Sequence, residues 1–263
     1  NKSNDLFYNT LIKKGFKKET LINSGLFIEN KNIFNRFSGR ITFPIYSLSG
    51  RKIGFGGRVL NNQMKTAKYI NSPETLVYQK SQILYGMNFA KTELMKQDNC
   101  YLVEGYLDVI ALHQKNITNV VSSSGTAITK DQVRIIKRFT NTITLLFDAD
   151  AAGLKAIYRA IDIALAEDMF VNIIILPDGE DPDSFSRNNS TEDLKKYFQD
   201  NVNDFISFTC SSQIINNINP EQKIKLLKQI MNSIALVPDL TNRTIYIQKV
   251  SENLNLDTKM LLK

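Results

Sequence analysis

The chain has 263 residues, 33 lysines and arginines against 26 acids, a net charge of +7 and a hydrophobic content of 43%. That is enough apolar material for a real core in one large domain or two to three small ones, while no apolar run approaches the ~20 residues of a membrane helix. Cys100 and Cys210 stand far apart and His113 is the single histidine, which excludes a disulfide framework, a thiolate zinc site and a histidine-rich metal site and points to a reducing, cytoplasmic setting.

The charge is unevenly spread. From Lys31 to Lys91 there are ten lysines and arginines and one acid, Glu74; from Tyr101 to Ser190 there are eight lysines and arginines and twelve acids. A basic block followed by an acidic block predicts a groove for a polyanionic backbone that feeds a metal site. The chain begins at Asn1 and not at a methionine, so it reads as a piece of a longer protein; no signal peptide opens it.

In chain order, residues 1–30 read as helical, from the apolar recurrences in LFYNTLIKKGF and KETLINSGLF. The stretch GRITFPIYSLSGRKIGFGGRVL then alternates β-rich runs with glycines, and YSLSGRKI reads as a hairpin turn. YINSPETLVYQKSQILYG is a turn-rich connector leading to a helix at 87–97. After it, strand and helix alternate: CYLVEG and YLDVIALHQKN, NVVSSSG and TKDQVRIIKRF with Thr129 as N-cap, TITLLFDAD and AAGLKAIYRAIDIALAED, then FVNIIILPDGEDPD. This spacing predicts a parallel sheet covered on both faces, and the chain from 191 to 263 reads as amphipathic helices. The fold class is therefore α/β, in three parts: a basic α+β subdomain over 1–83, a central α/β domain over 84–203 with a parallel sheet flanked by helices, and a helical subdomain over 204–263.

Ligands bind outside the carboxyl ends of strands in an open parallel sheet, and the acids fall there. Glu104 ends one strand, Asp148 and Asp150 end another, and Asp181 and Asp183 follow the last. On an extended backbone residues two apart point the same way, so Asp148 and Asp150 are expected to project together, and Asp181 and Asp183 to repeat that spacing about Pro182. One aspartate pair alone reads as solvated loop acids. Three acidic strand ends favour divalent cations that relieve the mutual repulsion, and carboxylates without histidine or thiolate suit Mg²⁺ or Mn²⁺. Gly105 and Gly153 are expected to leave room for a phosphate or metal, or simply to serve the turns. His113 and the basic residues Lys130, Arg134, Lys137 and Arg138 read as structural or surface positions, and Ser124, Gly125 and Thr126 form a small-residue loop able to approach a phosphate.

These residues carry a family resemblance. LVEGYLDVIAL, LLFDADAAG and LPDGEDPDS resemble the three motifs of a TOPRIM domain in the wording of the bacterial DnaG-type primase, and RFSGRITFPI, GRKIGFGGRVL and KYINSPETLVYQKSQILYG resemble that family's polymerase-domain signature. Ala149 stands where the family has glycine. The resemblance implies a primer-synthesising RNA polymerase core in which Glu104, Asp148 and Asp150 are catalytic. It implies that Glu104, Asp148, Asp150, Asp181 and Asp183 hold two or more Mg²⁺ or Mn²⁺ ions, with Asp108 a further acid nearby. It assigns Arg36, Arg40, Arg58, Lys68, Tyr69, Asn71 and Lys80 to the template and nucleotide groove. The implied partners are single-stranded DNA, ribonucleoside triphosphates and the RNA product, on a monomeric core associated with the replisome. The family's zinc-binding module is expected before this stretch, with no zinc inside it, and its replicative-helicase-binding module after it. The rival readings are a TOPRIM-containing metal-dependent nuclease and a non-catalytic DNA-binding module.

Overall fold

A computed structural model describes residues 4–60, 66–125, 127–147, 151–211 and 219–261. The chain divides into two compact units, Asn1–Asn88 and Phe89–Lys263. Among the described residues no helix is long and apolar enough to cross a membrane.

The first unit opens with α1 (Asn4–Lys13) and α2 (Lys18–Asn23), followed by the strands β1 (Phe27–Glu29) and β2 (Ile33–Asn35), which pair antiparallel. The helical expectation for residues 1–30 thus holds only as far as Asn23. Gly25 ends the helical run at φ +72°, and a Cβ there would sit 2.5 Å from Pro73 Cδ. The chain then delivers Phe27, 2% exposed, between the rings of Phe7 and Tyr8, each with its centroid at 5.3 Å. Burying one large aromatic here outweighs the weak helical preference of so short a segment.

The body of this unit is an antiparallel sheet in the order β3-β4-β5, built from β3 (Arg40–Tyr46), β4 (Lys52–Val59) and β5 (Tyr69–Asn71). The hairpin falls where the sequence puts it, with Gly50 at φ +82° in the turn. β5 lies inside the stretch read as a connector. β4 is glycine-rich because its neighbours come close: a Cβ on Gly57 would stand 2.7 Å from the Phe37 ring, and one on Gly54 would stand 3.2 Å from Tyr78.

The second unit carries α3 (Met87–Gln97), β6 (Cys100–Val103), α4 (Tyr106–Gln114), β7 (Val120–Ser122), α5 (Lys130–Lys137), β8 (Thr142–Phe147), α6 (Ala151–Ala166) and β9 (Phe170–Ile175). Then come α7 (Pro182–Asn188), α8 (Thr191–Asn201), the two-residue β10 (Asn203–Asp204), α9 (Phe205–Thr209), α10 (Pro220–Ala235), α11 (Leu240–Leu254) and α12 (Thr258–Leu261). Five strands form one sheet in the order β10-β9-β8-β6-β7. β6, β7, β8 and β9 are mutually parallel, and β10 is an antiparallel edge on β9. Leu102, Leu145 and Ile173 lie side by side across β6, β8 and β9, each at most 1% exposed. Continuous apolar strands of this kind are what a parallel sheet covered on both faces requires.

Two local devices set the helices. Thr129 caps α5 as expected: its Oγ1 accepts from the Gln132 N–H at 3.2 Å and its own N–H donates to Gln132 Oε1 at 3.0 Å. The basic residues of α5 do more than coat a surface, because Lys130 and Arg134 both pair with the Glu167 carboxylate, at 3.0 and 2.9 Å, and Lys137 donates to the Glu167 carbonyl. Burial alone would raise the Glu167 carboxyl, but the bonds to Arg134 and Lys130 outweigh it and hold the group below its ordinary value. A depressed carboxyl contributes stability above its unfolded value and loses it as pH falls through the folded one. Glu167→Gln is therefore expected to lower the melting temperature at about pH 7 and to have little effect near about pH 3; an equal loss at both would remove the ion pairs from the account.

The C-terminal helices are tied to the sheet by side chains. Ser233 Oγ on α10 donates to Asp162 Oδ1 on α6 at 2.5 Å, and Lys249 Nζ on α11 donates to Asp204 Oδ2 on β10 at 2.5 Å.

Candidate metal and nucleic-acid sites

In the second unit, β6, β8 and β9 run parallel and adjacent, so their carboxyl ends share one rim. Glu104 follows β6 directly and is exposed. Phe147 ends β8 opposite Ile175, the last residue of β9. Glu104 and Phe147 line one cavity of about 270 Å³, together with Ser123, Gly125, Ala156 and Arg159. The loop after β7 is fastened to this rim, since the Gly125 N–H donates to the Glu104 carbonyl at 3.1 Å. Ser124 and Gly125 both take left-handed backbone, at φ 60° and 72°. Thr126, Asp148, Ala149 and Asp150 lie outside the described residues.

The third acidic set departs from the reading of its backbone. Asp181 and Asp183 are not an extended pair. Asp181 is the N-cap of α7, its Oδ1 accepting from the Ser184 N–H at 2.6 Å, and Pro182 occupies the first helical turn. Proline is pre-shaped for that position, so the chain turns helical where an extended strand end was expected. Asp183 pairs with Arg187 one turn later, at 2.9 Å, and Glu180 accepts from Ser184 Oγ.

Asp108 also has a local task. Its Oδ2 accepts the Gly105 N–H at 2.8 Å at the start of α4 and stands 3.0 Å from where a Cβ on Gly105 would be. A side chain at position 105 would crowd that carboxylate, which gives the glycine a local role at the start of α4. His113 is partly buried with its Nε2 unpartnered, and burial pulls its pKa below the ordinary value. The imidazole is structural.

Among the described residues, no three histidine, cysteine, aspartate or glutamate side chains gather closely enough to hold an ion; the central aspartates fall outside that set. The chemistry of the donors nonetheless fits a hard cation. The acids at the strand ends are carboxylates, Cys100 is fully buried within β6, and the histidine sits inside α4.

In the first unit, three of the predicted groove residues, Arg58, Tyr69 and Asn71, share one sheet face. Ile41, Arg58 and Tyr69 lie opposite one another across β3, β4 and β5, and the Arg58 guanidinium sits 5.7 Å from the Tyr69 ring centroid. Tyr69 is 37% exposed, and Asn71, two residues along β5, faces the same way. Lys68 is exposed immediately ahead of β5. Arg40 is a brace: its Nη1 donates to the carbonyls of Gly57, Ala67 and Lys68 at 3.4, 2.9 and 3.4 Å, joining β4 to the approach to β5. Arg36 is half-buried, with its Nε out of reach of any partner among the described residues. Burial lowers the Lys80 ammonium from its ordinary value, opposed in part by Glu74.

Comparison with known proteins matches three family descriptions along the chain. Residues 1–91 match the N-terminal domain of the DNA primase catalytic core, residues 101–186 match a Toprim-like domain, and residues 216–258 match the DnaB-helicase binding domain of primase. In primases the Toprim domain is a metal-binding domain. The third match corrects the expectation that a helicase-binding module stands wholly beyond this chain, since the corresponding residues include all of α10 and α11. A DNA primase of Clostridium acetobutylicum is 38% identical over 242 residues, covering 91% of this chain and 40% of that protein. The chain thus spans about two fifths of the length of such relatives. The crystal structure of the Aquifex aeolicus primase (zinc-binding and RNA polymerase domains) superposes with a TM-score of 0.86 at 27% identity, covering 99% of this chain and 63% of that one. A DnaG primase catalytic domain bound to single-stranded DNA superposes at 0.83 with 33% identity, covering 96% of this chain and 81% of that one.

Proposed function

This chain belongs to the bacterial DnaG-type DNA primase family, and from that premise we propose that it is the RNA polymerase core of a primase. It copies single-stranded DNA into short RNA primers from ribonucleoside triphosphates. The observation that carries the reading is the rim of the α/β unit: Glu104 and the end of β8, where the sequence continues into Asp148 and Asp150, lie on adjacent parallel strands around one cavity.

In this reading Glu104, Asp148 and Asp150 hold the ions at the centre, with Asp181 and Asp183 contributing from the start of α7. Mg²⁺ or Mn²⁺, when bound, supplies positive charge for the nucleotide phosphates and lowers the pKa of the primer 3′-hydroxyl. To take part, Asp183 exchanges its exposed bond to Arg187 for a cation, a small cost for a pair of this kind. In the basic unit, Arg58 holds the template backbone with a planar fork, and Tyr69, already against that guanidinium, offers its face to a base or ribose. Asn71 lies along the same face, and Arg36, Lys68 and Lys80 add charge; Arg40 acts by keeping β4 and β5 together. Residues 216–258 would contact a replicative helicase, and the protein would work in the cytoplasm at the replisome.

The test is to incubate the chain with single-stranded DNA, labelled ribonucleotides and Mg²⁺ or Mn²⁺. Labelled RNA is the expected product, whereas shortened DNA with no RNA would replace this reading by a nuclease. In the same assay Arg58→Ala is expected to weaken binding of DNA of any sequence and to reduce the salt slope of affinity by about one. An unchanged slope would remove Arg58 from the DNA contact.

A further inference from the structure

The metal rim has a cation that the assigned residues leave out. Arg159 lies on α6, exposed, and lines the same cavity of about 270 Å³ as Glu104, Ser123, Gly125 and Phe147. Elsewhere in this unit cations near acids hold them: Arg134 holds Glu167, Arg187 holds Asp183 and Lys249 holds Asp204. Arg159 makes no ion pair with any described residue, although Glu104 lines its cavity. The cavity also has room beside the loop, since no atom stands within 4 Å of where a Cβ on Gly125 would be.

A guanidinium stays charged at any working pH and presents a fork that matches a tetrahedral oxyanion. Set in a concavity partly walled by Phe147 and Ile128, its field is less dispersed by water than on an open helix face. A carboxylate committed to a metal is a poor partner for it, which leaves a phosphate arriving at the same rim.

We propose that Arg159 is a positioning residue that holds a phosphate oxyanion at the Toprim rim. This rests on the primase reading for the source of the phosphate, which is either the triphosphate of the incoming nucleotide or a phosphodiester of the bound strand.

The test compares Arg159→Gln and Arg159→Lys with the unaltered chain in three measurements: melting temperature, affinity for a fluorescent single-stranded DNA at two salt concentrations, and affinity for a fluorescent ribonucleoside triphosphate with Mg²⁺. A charge-assisted contact predicts that Arg159→Gln weakens one ligand by roughly ten- to a hundredfold, with Arg159→Lys retaining part of the affinity. A loss confined to the triphosphate identifies the nucleotide as the source. A loss confined to DNA, with the salt slope reduced by about one, identifies the strand. Unchanged affinity for both ligands overturns the proposal. So does a lowered melting temperature with equal loss in both variants, which would make the residue structural. Binding is read without primer synthesis, so the two readings fail separately: a chain that makes no RNA but loses affinity on Arg159→Gln retains the phosphate contact and loses the primase reading.

Discussion

Glu104→Gln is expected to reduce primer synthesis by at least about a hundredfold while leaving the melting temperature within a few degrees of the unaltered chain. The substitution keeps the shape of the side chain, removes its charge and replaces one acceptor oxygen by an NH₂ donor. Glu104 is exposed at the end of β6, so the core does not register the change, and surface substitutions away from special features stay close to neutral. Its carboxylate is one of the few oxygens at the rim able to hold a hard cation. Altering residues that merely orient a metal ligand already costs about 10–100-fold, and a ligand lost outright costs more. The discriminating measurement is labelled RNA per unit time across a Mg²⁺ titration. Synthesis that persists undiminished at every Mg²⁺ concentration would take Glu104 out of the chemistry, whereas recovery at high Mg²⁺ would place the defect in metal affinity.

Leu145→Ala is expected to act through the fold. Leu145 sits in the middle of β8, fully buried, between Leu102 on β6 and Ile173 on β9. Truncation leaves a cavity with sheet neighbours on both sides that are held by their own ladders and cannot collapse into it. Leucine-to-alanine changes at such sites cost about 2–5 kcal/mol. For a unit of this size, roughly 2–4 °C per kcal/mol follows, so a fall of about 5–15 °C in melting temperature is expected. β8 also leads directly into Asp148, so loss of primer synthesis should track unfolding and recover on cooling. A melting temperature within a degree of the unaltered chain would mean that the row Leu102–Leu145–Ile173 is not the centre of the core.

What the sequence discloses follows the size of each element's own signal. The strands from 100 to 175 are legible because burial on both faces writes them as unbroken apolar runs, and the acids stand out because each interrupts such a run at its end. Thr129 is legible as a cap because Gln132 follows at the reciprocal spacing. The short strands are not: β1, β5 and β10 have three, three and two residues, too few for a periodicity, and their partners come from elsewhere in the chain. Asp181 and Asp183 carry a signal that points both ways, since the spacing suits a pair on a strand and Pro182 suits the first turn of a helix. The helix prevails. Arg40 is grouped with the groove by the family resemblance, and its bracing of β4 is illegible because the carbonyls it holds lie 17 to 28 residues away in sequence. Arg159 has no distinguishing sequence context; only the fold brings it to the cavity of Glu104.

Asp204 has a consequence for anyone shortening this protein. Its carboxylate caps α9 through the Ile206 and Ser207 N–H groups and accepts from Lys249 on α11, while its backbone closes the open side of β9. A deletion that stopped before Lys249 would therefore not simply shed terminal helices. It would unlatch β10 from that flank of the sheet, leaving bare backbone as a template for another chain, so shortened versions are expected to clump before they unfold.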